Sequence, residues 1–137
     1  MLRLFILFLL FVSPLYADNY SQKACFKNTC IKVEVVEGPI QLEQGLMFRE
    51  SMKEDEGMLF ILPEEKFTKF WMRNMRFALD IIWMDKEKVV FQISENVPPC
   101  QGPCPDIIPS QKTKYVLEVN SGFSKRHQLK IGEKVEF

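Results

Sequence analysis

Two sets of residues in this chain are of types and spacings that could do chemistry. One is four cysteines in two close pairs; the other is the polar residues set among aromatics and methionines in FWMRNMRFALDIIWMD, Phe70 to Asp85. Cys25 and Cys30 bound the stretch CFKNTC, a spacing that could close a hairpin loop of four residues. Cys100 and Cys104 lie in PPCQGPCP, where a bridge would staple a Pro-rich turn. Paired cysteines in an exported chain usually form disulfides. Rings this small remove little chain entropy, so each bridge would contribute roughly 2 kcal/mol as a local clip.

In the second set Asp80 has apolar residues before, after and beside it. An ionised carboxylate in such surroundings needs a partner, because burying it unpaired costs several kcal/mol. Arg73 and Arg76 are the nearest guanidinium groups in sequence, and Arg49 in GLMFRES is a third; each could fork onto the carboxylate. Such a pair would either fix local structure or form the polar end of a ligand site. In the second case Arg49, Asn74 and Asp80 would hold the ligand's polar end, with Trp71 and Met72 as an apolar wall.

The elements that would carry these residues follow from periodicity. Phe67–Arg73 and Leu79–Asp85 read as a hairpin joined by residues 74–78. Its two-residue period sets Leu79, Ile81 and Trp83 on one face and Asp80, Ile82 and Met84 on the other. Ile31–Val36, Gly57–Leu62, Val89–Ser94 and Lys114–Val119 read as further strands, and EKVEF as a last one. Ile40–Phe48 reads as a short helix weakened by Gly45, and Ser121–His127 as another, capped by Ser121. The Pro-rich stretch from Glu95 to Gln111 reads as an irregular loop. This predicts an α+β fold of mainly antiparallel strands, a partly closed small barrel or curled sheet, with two short helices.

Met1 to Ala17 has one positive charge, a nine-residue apolar run from Leu4 to Val12, Pro14 and a small residue at the end, which reads as a secretory signal peptide. The run is too short to span a bilayer. The expectation is an exported protein, periplasmic or secreted, that meets a membrane only through an uncleaved signal segment. Residues 18–137 would form a single domain. The whole chain has 18 Lys and Arg against 18 Asp and Glu, and loss of Arg3 with the signal leaves the mature part near neutrality. That balance excludes nucleic acid as an expected partner and leaves a small molecule or protein. The acidic stretches KEDE and PEEK lack the alternating oxygen ligands of a calcium loop, so no metal or other cofactor is expected.

GLMFRES, EDEGMLFIL, FWMRNMRFALDIIWMD and YVLEVNSG resemble, in order, the successive motifs of the DUF192 (UPF0127) family. The resemblance covers most of Val33 to Phe137 and implies a small, compact, strand-rich domain with no assigned biochemical activity. It sets the family's polar motif positions on Arg49, Asp55, Asn74, Asp80 and Glu118. Arg73, Met75 and Ala78 depart from the Lys, Thr and Pro common in the pattern. Three functions are then open. The first is a non-catalytic ligand-binding or protein-interaction domain using Arg49, Trp71, Met72, Asn74, Asp80 and Glu118. The second is an enzyme using Asp80 and Glu118 as an acid and base pair. The third is thiol redox or Cu(I) binding through Cys100 and Cys104, because C-x-x-x-C-P is also similar to the metal-binding element of exported thioredoxin-like copper chaperones. There two thiolates and a distant His hold the metal, and here the one His is His127.

Overall fold

Alternating apolar side chains assemble six strands into one sheet, seen in a computed structural model that describes residues 20–137. The expected signal segment 1–17, its cleavage near Ala17, and Asn19 lie outside the described residues. The strands are β1 (Gln22–Cys25), β2 (Cys30–Val36), β3 (Glu56–Lys66), β4 (Leu79–Met84), β5 (Val90–Val97) and β6 (Thr113–Asn120); the helices are α1 (Pro39–Gln44) and α2 (Phe123–Arg126). The spatial order is β1-β2-β3-β6-β4-β5. Only β2 and β3 run parallel, and the crossover between them carries α1. The sheet is mixed, mostly antiparallel and open, with β1 and β5 at its edges, so the expected partial barrel closure is not found. The C-terminal segment touches both edges instead. Val90 N–H donates to Glu133 O at 2.9 Å, and Cys25 N–H donates to Glu136 O at 2.8 Å.

Both faces of the central strands are buried. Leu59, Ile82, Leu117 and Val119 pack on one face with Phe123 and Val135. Met58, Phe60, Ile81, Trp83 and Val116 pack on the other with Leu46, Met72 and Met75. Each fully buried Leu, Ile or Phe side chain contributes about 1.5–3 kcal/mol, so these two layers dominate the stability of the fold.

Several predicted elements differ from the observed ones. Residues 67–73 are no strand: their β-pairing is limited to isolated bridges from Phe70 to Ile107 and from Arg73 to Cys100. Both sides of β4 are already taken, by β5 and β6, so no hairpin with 67–73 can form. That segment instead lies across the sheet, with the Phe70 ring 5.3 Å from the Trp83 ring. α1 stops at Gln44 because Gly45 turns out of the helix with φ 48°. β3 runs on through Pro63, at a register shift between Ile61 and Lys66 where a missing N–H breaks no ladder. Ser121 does not cap α2, whose N-cap is Gly122 without a side-chain bond. EKVEF forms bridges from Lys134 and Glu136 rather than a strand.

Both expected disulfides are present, and no cysteine among the described residues is free. Cys25 and Cys30 are partners in the β1–β2 ladder with Cα atoms 4.0 Å apart, and Phe26 N–H donates to Thr29 O inside the loop. The Cys100 and Cys104 sulfurs are bonded to each other, so the thiolate pair needed for Cu(I) is absent from this structure. Replacing Cys25 and Cys30 together by Ser should lower the unfolding free energy by about 2 kcal/mol in urea titrations. An unchanged midpoint would show that the bridge is no clip.

Candidate functional site

Asp80 lies on the same face as Ile82 and is 0% exposed, yet no arginine among the described residues reaches it. Its Oδ1 accepts the backbone N–H of Asn96 (2.9 Å) and of Gly122 (3.1 Å), and its Oδ2 accepts that of Ser124 (2.9 Å). The expected guanidinium partner is therefore corrected. Arg49 pairs with Glu34 at 2.8 Å, Arg76 pairs with Glu50, and Arg73 lies over the Trp71 ring at 5.3 Å. The end of β5 and the first turn of α2 bring three N–H groups to one point, and charge-assisted bonds from these satisfy the carboxylate without a cation. Asp80 thus ties β4 to β5 and to α2, and supplies from another strand the cap that Ser121 does not.

Asp80 and Glu118 cannot act on one substrate as an acid and base pair. In the β4–β6 ladder Asp80 opposes Val119 while Glu118 opposes Ile81, so their side chains leave opposite faces of the sheet. On Glu118's face, α1 and the segment after β3 stand apart and enclose a cavity of about 460 Å³. Leu42 and Leu46 form one wall, Phe70, Trp71 and Met75 the other, and Phe60 and Glu118 the floor. Lys66, Lys69 and Glu43 lie at the rim, and Lys69 is paired with Asp106 at 2.9 Å. Gly45 lets the chain drop close to the floor, since a Cβ there would come within 3.1 Å of the Phe60 ring.

Glu118 is 5% exposed and sits between Met58 of β3 and Ile81 of β4, neither of which offers a polar group. Among the described residues no hydrogen bond or ion pair reaches its carboxyl group, and burial alone pushes that group up to about 8. At neutral pH it is a protonated acid, able to donate one hydrogen bond and accept others, facing an apolar space.

The residues singled out in the sequence are distributed over several places. Trp71 and Glu118 line the cavity, and Met72 lies buried in the layer that contains Trp83. Asn74 lines a shallower neighbouring depression with Arg73, in left-handed backbone (φ 58°), and its C=O accepts Phe48 N–H at 2.9 Å. Arg49 is engaged by Glu34, Asp55 accepts Lys32 N–H through its backbone, and Asp80 lies across the sheet. Leu42, Phe60, Phe70 and Met75 were not foreseen. Each reads in sequence as ordinary core, and only the gap between two segments remote in sequence turns them into a lining.

Residues 22–137 match the model of the DUF192 family, described as "Uncharacterized ACR, COG1430". The chain is 30% identical to the UPF0127 protein PYRAB11210 of Pyrococcus abyssi, over 77% of this chain and 86% of that one. Among solved structures it is similar to a protein of unknown function from Novosphingobium aromaticivorans, with TM-score 0.78, 30% identity and 84% of each chain covered. It is also similar to a Sinorhizobium meliloti protein described as a candidate transcription regulator, with TM-score 0.75 and 32% identity over 83% of this chain and 89% of that one.

Proposed function

The chain belongs to the DUF192 family, and from that premise we propose that it is a non-catalytic binding domain, taking a small, mainly apolar molecule with one polar group into the cavity over Glu118. One observation carries this reading: a carboxyl group, buried and unpartnered within the fold, forms the floor of an otherwise apolar pocket. Pockets that bind small molecules combine this kind of lining with a few placed polar groups, and about 460 Å³ falls within their usual size. A polar group buried without a partner costs stability, and a ligand supplying the missing bond would remove that cost. Catalysis would require a second group placed to exchange protons or attack; the other titratable groups of the lining stand at the solvent-facing rim. The balanced charge of the chain gives no support for carrying over the regulator description of the S. meliloti protein. Two disulfides suit a single exported domain working in an oxidising compartment once residues 1–17 are removed.

The test is a thermal-shift screen at pH 7 of the mature, oxidised protein against small apolar molecules bearing one polar group. Ligands of the native state should raise its apparent melting temperature. The half-buried Leu42, replaced by Trp, should fill the cavity from the α1 side and abolish those shifts while the protein still folds. Compounds that stabilise Leu42→Trp equally, or the absence of any stabiliser, would contradict the assignment.

A further inference from the structure

We propose that the ligand is an organic ammonium ion with an apolar body, its nitrogen bound by Glu118 and its body held between aromatic walls. This rests on the cavity reading above and adds the chemical class. Two observations and one chemical argument point to it. The carboxyl group has no cation of its own among the described residues: Glu118 lies between Met58 and Ile81, and Arg49, the arginine that follows α1, is engaged by Glu34 at 2.8 Å. The same space is lined by Phe60, Phe70 and Trp71, whose ring faces attract ammonium groups, most strongly when water is excluded. Finally, if the ligand's polar group were neutral, a glutamine would make the same hydrogen bonds. A carboxyl group differs by being able to become an anion, which a neutral ligand would not use.

The other charged groups facing this layer do not supply the missing counter-ion. On β2 Lys32 is exposed to solvent and Glu34 is held by Arg49, and on β3 Glu56 accepts from Tyr20 at 2.8 Å. On β6 Lys114 donates to the carbonyls of Leu62 and Pro63. β4 contributes only Leu79, Ile81 and Trp83. Glu43, Lys66 and Lys69 stand at the solvent-facing rim, where water and salt screen them from the floor. Binding is then a balanced exchange: the protonated carboxyl and R–NH₃⁺ become a carboxylate and ammonium pair, and one proton leaves to solvent. Simple alkylamines stay charged below about pH 10. The pH dependence therefore comes from Glu118, and affinity should rise about fiftyfold from pH 6 to pH 8 for a carboxyl that titrates at about 8.

Calorimetry with hexylamine, 2-phenylethylamine and tryptamine, each set against its matching alcohol, tests this on the oxidised protein. The amines should bind more tightly than the alcohols at pH 8. Titrations in buffers of different ionisation enthalpy should show release of about one proton per amine at pH 6 and about half at pH 8. Glu118→Gln should weaken amine binding and remove its pH dependence. Alcohols binding as tightly as amines, amine affinity flat with pH, or full affinity in Glu118→Gln would overturn the ammonium assignment and leave the cavity reading standing. Failure of amines and alcohols alike would remove both.

Discussion

Asp80→Ala should lower the unfolding free energy by about 3–5 kcal/mol, as much as removing a large side chain from the core. The substitution takes the acceptor from three backbone N–H groups at once, those of Asn96, Gly122 and Ser124. Each buried donor left without a partner costs about 1–3 kcal/mol, and the sum falls short of additivity because the α2 turn can relax toward solvent. Asp80→Asn should fall between the two proteins. It keeps one acceptor oxygen but turns an NH₂ group toward N–H donors that want an oxygen. Urea unfolding at pH 7, followed by the fluorescence of the buried Trp83, gives both values. A loss under 1 kcal/mol for Asp80→Ala would mean that these three contacts do not hold β4, β5 and α2 together. Ligand binding by the folded fraction should be unchanged, because the sheet lies between Asp80 and the cavity.

This residue also shows how far the sequence could be read. That Asp80 needs a partner followed from its apolar neighbours; what the partner is did not, because backbone N–H groups have no letter of their own and arginines do. The stretch from Phe67 to Arg73 departs from the expected strand for a related reason. Its aromatic content suits a strand, but strand formation depends on a free neighbouring edge, and β5 and β6 leave β4 none. β1 shows no pattern of its own because QKAC is only four residues long, its place set by the hairpin and disulfide that follow. The two cysteine pairs were legible because a ring of a few residues admits only a local partner. Glu118 came to notice only through its place in the family motif. Nothing in YVLEVN shows that this position faces a cavity whose walls come from residues 39–47 and 60–75.

The pH dependence of stability should carry the signature of Glu118. The folded protein holds this proton up to about pH 8, whereas the unfolded chain releases it near the ordinary glutamate value of 4.5. Between those limits the native state binds more protons than the unfolded state, so stability falls as pH rises, then levels off above the folded value. The contribution is fully favourable below pH 4.5 and lost by pH 8, a swing of about 3–5 kcal/mol. Other groups titrate over the same range, and comparison with Glu118→Gln separates them. The variant should match the parent near pH 4.5 and exceed its stability by nearly the whole swing at pH 8. A difference that stays constant with pH would show that the carboxyl is not held protonated by the fold. The expected gain also fits a residue kept for binding at the expense of stability, a common pattern at functional sites.

The measurement closest to the central claim is the titration of the Glu118 carboxyl carbon by NMR in the unliganded, oxidised protein. An isolated acid on the floor of an apolar cavity should change its shift with a midpoint near pH 8. On adding 2-phenylethylamine the midpoint should fall by more than one unit, as the ammonium stabilises the anion. A midpoint between 4 and 5 without ligand would mean that water or an internal cation already satisfies this group, and the cavity would then have no unpaired acid to offer.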